Sequence, residues 1–258
     1  MKAKQNNGYL YVASMSPLYY KAALRSAVSL KDHYPEAKIT LFAHKQFVRD
    51  SDRQHFDQII TDIPIHKRAK MWAMARSPYD NTFYIDADTE IMSEDIADVF
   101  EHLEGNDLRF TGIVRHVSKD VIVDKDNELL YHGGVVLYRS SKPLVRKLMR
   151  DWFDTYEYQC RCDWATSKFK QYDKGMKPWD QFTLWWLLNT NAKYKKLKHS
   201  LFPDGGFEYN FIYLLSESHP NNDQFKNKQP IVYHLPIPGF KDDAQYIKAP
   251  PGSITDFD

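Results

Sequence analysis

Short apolar and aromatic runs alternate with helix-patterned segments through the first third of the chain, and this alternation leaves few folds open. Residues Tyr9 to Ser14 (YLYVAS) lie between Asn-Asn-Gly and Ser-Pro, the pattern of a short buried strand. Leu18 to Tyr34 carries Leu, Ala and Val at helical spacing and is stopped by His-Tyr-Pro. Lys38 to Phe42 reads as a second strand, Gln58 to Asp62 as a third, and Lys67 to Arg76 as a helix. Thr82 to Ile85 is a strand running directly into Asp86. Such alternation predicts an α/β fold with a mostly parallel central sheet covered by helices on both faces. The second half is less regular. Leu108 to Val114 and Val135 to Tyr138 read as strands, Pro143 to Tyr158 and Trp179 to Leu188 as helices, and the chain after Asn189 as loop-rich.

No internal repeat or linker divides the 258 residues, so one domain over 1–258 is expected, with one sizeable core. The two cysteines, Cys160 and Cys162, are too close for a disulfide staple and too few for a zinc site. A reducing compartment fits them. No apolar run resembles a signal segment or a membrane span, and a cytoplasmic location is expected. The net charge of +1 conceals a basic stretch from Arg139 to Ser200, with fourteen Lys and Arg against six Asp and Glu. It reads either as a solvated helical surface or as a platform for an anionic acceptor or nucleic acid.

The chemistry concentrates in Thr82 to Ile91 (TFYIDADTEI). Open α/β sheets bind ligands beyond the carboxyl ends of their strands, where Asp86 and Asp88 would stand. Two carboxylates one residue apart can converge on one divalent cation if the backbone turns there, and oxygen ligands favour Mg²⁺ or Mn²⁺. Such a cation bridges phosphates and neutralises the charge growing on a departing nucleoside diphosphate.

At this point the chain resembles a known family. The run KRAKMWAMARSPYDNTFYIDADTEI is similar to the donor-site region of GT-A-fold nucleotide-sugar glycosyltransferases, in particular the glycogenin-like retaining group (family 8-like). Lys70 precedes Asp86 by sixteen residues with Tyr79 between them, as the family shows. YYKAALRSAVSLKDHYP resembles the family's first helix, YHGGVVLYRSS its Asn-Ser-Gly strand, WDQFTLWWLLN its Asp-Gln helix start, YNFIYLL its Tyr-Asn stretch and IVYHLPIPGF its C-terminal histidine segment.

The resemblance implies a transferase for hexosyl or pentosyl groups that uses a nucleotide-sugar donor, UDP-sugar favoured, an acceptor hydroxyl and Mn²⁺ (or Mg²⁺), with retention. It implies a nucleotide-sugar-binding half over about 1–115 and an acceptor half over about 116–258. Asp86, Asp88 and His234 would hold the metal. Tyr19 would stack on the donor base, with Ala13, Lys70, Asp86, Ala87 and Asp88 around the donor. Asp180 and Gln181 would face the transferring sugar and the acceptor hydroxyl. Two departures stand out. His132, Gly133 and Gly134 occupy the Asn-Ser-Gly positions, and the C-terminal Gly-Lys-Pro-Trp pattern is reduced to shifted Gly239 and Lys241, leaving Lys241 as a diphosphate contact.

Each residue also has a plainer reading. His234 could close a strand, Lys70 could be a surface lysine beside Lys67, Arg68 and Arg76, and Tyr20 competes with Tyr19. Asp180 could be a helix N-cap, Gly133 and Gly134 a bulge, Trp185 and Trp186 core, and Glu94, Asp95 and Asp98 a solvated helical turn. The rival functions are a phosphohydrolase with Asp86 as nucleophile and a non-catalytic carbohydrate or nucleic-acid binder. A nucleotidyltransferase would need a Gly-rich phosphate loop near the N-terminus, which is missing.

Overall fold

Among the described residues twelve strands carry the architecture: β1 (Asn7–Ala13), β2 (Ile39–Ala43), β3 (Gln58–Ile60), β4 (Asn81–Ile85), β5 (Thr89–Ile91), β6 (Leu108–Gly112), β7 (Ile122–Asp124), β8 (Asn127–Glu128), β9 (Tyr131–Tyr138), β10 (His199–Leu201), β11 (Phe211–Ile212) and β12 (Val232–His234). Four α-helices accompany them, α1 (Pro17–His33), α2 (Ala69–Met74), α3 (Pro143–Arg161) and α4 (Asp180–Thr190), with 3₁₀ segments at Glu94–Leu103 and Pro203–Tyr209. This computed structural model describes residues 5–112, 122–124, 127–128, 131–212 and 230–234.

Seven strands form the main sheet in the order β10-β6-β9-β4-β1-β2-β3. It is mostly parallel; β9 alone runs against its neighbours β4 and β6. A second sheet, β11-β12-β5, stands at the end of the first, and β7 pairs with β8. In the second sheet β12 lies antiparallel to β5 with His234 opposite Thr89.

The strand residues split by alternation between the two faces. Tyr9, Tyr11, Ile39, Leu41, Phe83 and Ile85 pack with α1 and the Glu94–Leu103 segment. Leu10, Val12, Phe42, Tyr84 and Val136 pack with α2, α3 and α4. Both faces are therefore covered, which is why β1, β2 and β4 read as unbroken apolar runs. Each fully buried Leu or Phe in these layers contributes about 1.5–3 kcal/mol. A smaller aromatic cluster of Trp164, Phe169, Met176 and Phe182 sits under the α3–α4 connection, with Trp185 and Trp186 packed against it.

Local chemistry sets the ends of α1: the Ser16 side chain accepts from the Leu18 amide, Pro17 opens the first turn, and Lys31 and His33 stand in the last turn. Two sequence-based readings are corrected. Asp180 is the first residue of α4, behind an extended Trp179, and caps nothing with its side chain. The helix read over Lys67–Arg76 shortens to Ala69–Met74, which leaves Lys67 and Arg68 in the preceding turn. Tyr79 lies over Gly8, where an added Cβ would come within 2.2 Å of its ring, and it accepts a hydrogen bond from Thr40 at 2.8 Å. That is the amino end of β1, so Tyr79 supports the sheet from the end opposite Asp86. The last part of the Leu108–Val114 strand, the last three residues of YNFIYLL, the C-terminal segment after His234, and Lys241 lie outside the described residues.

Candidate functional site

Asp86 is the first residue beyond β4, and a tight turn follows it. The Thr89 hydroxyl donates to the Asp86 carbonyl at 2.9 Å, closing the turn before β5 begins. With β12 paired to β5, Asp86, Asp88 and His234 each offer a ligand atom within 4.8 Å of the others. His234 Nε2 stands 3.2 Å from Asp88 Oδ1. Burial alone would raise the Asp88 carboxyl, but the hydrogen bond and charge of His234 outweigh it and hold Asp88 below the usual carboxylate range. Burial likewise opposes charge on His234, and the neighbouring Asp88 reverses this, raising it above the usual histidine range. Two carboxylates and an imidazole suit a divalent cation such as Mn²⁺ or Mg²⁺.

Asp86 is held from three sides. Lys70, 9% exposed on α2, places Nζ 3.3 Å from Oδ1. The Tyr84 hydroxyl donates to the same oxygen, and the Asp86 amide donates to the Gly134 carbonyl at 2.8 Å. Burial, reinforced by Asp86, raises the Tyr84 phenol well above its ordinary value, so it remains a donor. A Cβ on Gly134 would fall 2.7 Å from Asp86 Oδ2 and 2.6 Å from His132 Cε1. The glycine is a close-approach position within a bulge: along this ladder Phe110 pairs with Val136 and Thr111 with His132, so Gly133, Gly134 and Val135 are the extra residues on β9.

A pocket of about 170 Å³ opens beside this group, lined by Val12, Ser14, Tyr19, Lys67, Arg68, Lys70, Tyr84, Asp86, Ala87 and Asp88. Tyr19 and Tyr20 no longer compete. Tyr20 is buried, donates to Asp52 at 3.0 Å and accepts from the Arg49 amide, whereas Tyr19 faces the pocket. Ala13 is fully buried in the core, and its neighbours Val12 and Ser14 reach the pocket instead. Met15, buried just beyond β1, has φ 75°, a left-handed conformation that costs a non-glycine residue about 1–2 kcal/mol.

Deeper in, α4 delivers Asp180 and Gln181. Asp180 is fully buried, 3.5 Å from where a Gly133 Cβ would stand, and 3.3 Å from Arg68 Nη2. That last contact is one of charge without hydrogen-bond alignment: both Asp180 oxygens, Arg68 Nε and Gln181 Oε1 are buried without a hydrogen-bond partner among the described residues. Burial works against the Arg68 charge, and Asp180 more than compensates, so the guanidinium stays ionised. Behind it, His66 Nδ1 accepts the Arg68 amide at 2.9 Å, and Ser14 donates to the His66 carbonyl at 3.0 Å.

His132, at the start of β9, has Nδ1 3.1 Å from the Gly134 amide and 2.9 Å from Asn210 Nδ2. Burial, with His234 nearby, pushes its value down to about 4, so the ring is neutral. Asn210 also reaches His234 Nδ1 at 2.9 Å and Thr111 at 3.2 Å. Sequence reasoning missed Tyr84, Arg68 and Asn210 as members of the site. Tyr84 was findable, since residues two apart on a strand share a face. Arg68 had no signal beyond its charge, and Asn210 none beyond the stretch containing it.

Part of the basic stretch is engaged in local pairs. Lys142 pairs with Asp107, Lys147 and Lys193 with Asp151, Arg161 with Glu157, and Arg139 and Arg146 with backbone carbonyls. Among the described residues no helix is long and apolar enough to cross a membrane.

No family model matches the chain, and no curated protein matches its sequence. Solved structures do match. The glycosyltransferase GlyE of Streptococcus pneumoniae aligns with a TM-score of 0.52 at 16% identity, over 90% of this chain and 54% of that one. Mouse xyloside xylosyltransferase 1 in its apo form aligns with 0.53 at 12% identity, over 90% of this chain and 100% of that one. The galactosyltransferase LgtC in complex with donor and acceptor sugar analogues aligns with 0.53 at 14% identity, over 90% of this chain and 88% of that one. The chain thus spans about half of the streptococcal protein and the whole of the mouse one. At such identities the likeness is one of architecture, and the chain has the GT-A fold of these glycosyltransferases.

Proposed function

We propose that this protein is a divalent-cation-dependent glycosyltransferase that moves a sugar from a nucleoside-diphosphate sugar, a UDP-sugar in the first instance, onto an acceptor hydroxyl with retention of configuration. The observation that carries the reading is the convergence of Asp86, Asp88 and His234 at the carboxyl end of β4, with Lys70 against Asp86, in a sheet of the GT-A type. A cation held by these three residues would supply positive charge to the diphosphate oxygens as the leaving group departs. Lys70, Lys67 and Arg68 line the same pocket and add fixed positive charge for a diphosphate. Tyr19 offers a ring for the base, and Ser14 and Ala87 offer small surfaces beside it.

Asp180 and Gln181 present buried acceptor oxygens with no hydrogen-bond partner, which hydroxyls of the transferring sugar and of the acceptor would satisfy. Arg68 engages the Asp180 carboxylate by charge and Gln181 is uncharged, so both are read as binding groups rather than nucleophiles. Retention is accordingly assigned to attack on the face from which the diphosphate leaves.

The test is nucleoside-diphosphate release from a panel of nucleotide sugars with Mn²⁺ and with EDTA, alongside the Asp88→Asn variant. Release from one donor that EDTA abolishes and Asp88→Asn lowers at least about 100-fold supports the reading. Turnover indifferent to both removes it.

A further inference from the structure

We propose that Asn210 is a positioning residue that sets the tautomers of two histidines at once, presenting the His234 Nε2 lone pair to a divalent cation and the His132 Nε2–H to the donor molecule. The cation half rests on the function proposed above; the tautomers do not.

The polarity of the network starts from a group that has no choice. The Gly134 backbone amide can only donate, and it is directed at His132 Nδ1 from 3.1 Å. His132 Nδ1 is therefore an acceptor, and the proton of this neutral ring sits on Nε2. The Asn210 atom 2.9 Å from the same Nδ1 must then be a donor, so it is the amide nitrogen. Its second N–H goes to Thr111 Oγ1 at 3.2 Å. That leaves Asn210 Oδ1 facing His234 Nδ1 at 2.9 Å, and a carbonyl oxygen can only accept. His234 Nδ1 therefore carries a proton, and Nε2, whose own proton faces Asp88 when no cation is present, is the nitrogen a cation would take in that proton's place. Without this constraint, the Asp88 carboxylate would draw the single proton of a neutral ring to Nε2 and block it.

Burial makes the arrangement binding. Asn210 is 2% exposed, so solvent does not replace a lost partner. Turning its amide over would set two acceptors against each other at His132 and two donors against each other at His234. The peptide of Gly134 ties the network to the other ligand as well, because its carbonyl accepts the Asp86 amide. An orienting hydrogen bond on the distal nitrogen is a general requirement for a metal-binding imidazole. Here one amide provides it and also turns the neighbouring imidazole into a donor. Among the described residues, His132 Nε2 has no hydrogen-bond partner, which leaves its N–H for an oxygen of the donor.

The experiment combines long-range ¹H–¹⁵N correlation of the histidine rings in the metal-free protein with Mn²⁺ binding, followed by electron paramagnetic resonance in the presence of UDP. The wild type is expected to show His132 protonated on Nε2 and His234 protonated on Nδ1. Asn210→Leu should weaken Mn²⁺ binding about 10–100-fold and scramble the His132 tautomer. Asn210→Asp keeps an acceptor for His234 but cannot donate to His132. It should hold Mn²⁺ affinity within about threefold of wild type while the His132 signals shift. A merely structural role would move metal affinity and melting temperature together in both variants. His234 protonated only on Nε2, or Asn210→Leu with wild-type Mn²⁺ affinity and tautomers, overturns the proposal. A wild type that binds no Mn²⁺ with UDP overturns the cation half together with the function proposed above, and the ring tautomers still decide the role of Asn210.

Discussion

The two ends of the main sheet use polar residues in opposite ways. At the amino end of β1 and β4, Asn81 donates to Gln5 and Asn7, Asp80 accepts the Asn6 amide, and the Ile39 amide donates to Asp57. Asp107 there takes two hydrogen bonds from Lys142 and one from the Lys198 amide. At the carboxyl end, Asp180, Gln181 and Arg68 are buried with polar atoms unsatisfied, Met15 is held at φ 75°, and three side chains that could hold a metal ion converge. The first end satisfies its polar groups internally and contributes stability. The second leaves polar capacity open, the usual signature of a site awaiting a ligand.

The contrast breaks most readily at Gly134. Gly134→Ala drives a Cβ into Asp86 and His132, and should cut transfer about 100-fold while melting shifts by only a few degrees; activity within a few-fold of wild type would mean that Asp86 and His132 do not need this close approach. Gly133→Ala meets its neighbours at 3.4 Å and beyond, so it is the milder companion. At the other end, Asp107→Asn should cost about 1–2 kcal/mol, discounted because Lys142 is 43% exposed, and leave kcat unchanged. Thermal melts and steady-state kinetics on one preparation read both quantities.

Gln181→Met inverts that result. Removing an unpaired buried oxygen should leave melting unchanged or slightly raised while transfer falls about 10-fold, and a clear loss of stability would show that Gln181 already has a partner. The smallest effect is one of pH. Burial would raise the Asp107 carboxyl, but Lys142 and the Lys198 amide hold it below the usual range. Its stabilisation is therefore complete above the unfolded value of about 4 and drains as pH falls through the lower folded value. Acid melts of wild type and Asp107→Asn should converge there, and parallel curves would remove Asp107 as the cause.

Periodicity and local chemistry were enough for the α/β class, the four main helices, the strand running into Asp86 and the position of the paired aspartates at its end. These are properties of a few neighbouring residues: alternation, helical spacing, and turn residues such as Ser16-Pro17 that bound an element. The resemblance in ordered motifs then drew attention to Lys70, Asp180 and His234, although no single one of those motifs is specific.

What the sequence could not contain is which distant groups meet. His234 reaches Asp88 only because β12 pairs with β5 in a register that sets it opposite Thr89. Arg68 meets Asp180, and Asn210 joins His132 to His234, across separations that leave no local pattern. The choice of Tyr19 over Tyr20 for the pocket depended on how α1 rolls against Asp52, and the place of Tyr79 depended on the missing side chain of Gly8. Local sequence determines which elements form, because backbone hydrogen bonding and hydrophobic alternation act over a few residues. The site was decided by tertiary packing, because its geometry depends on strand register and on the polarity of a buried hydrogen-bond network.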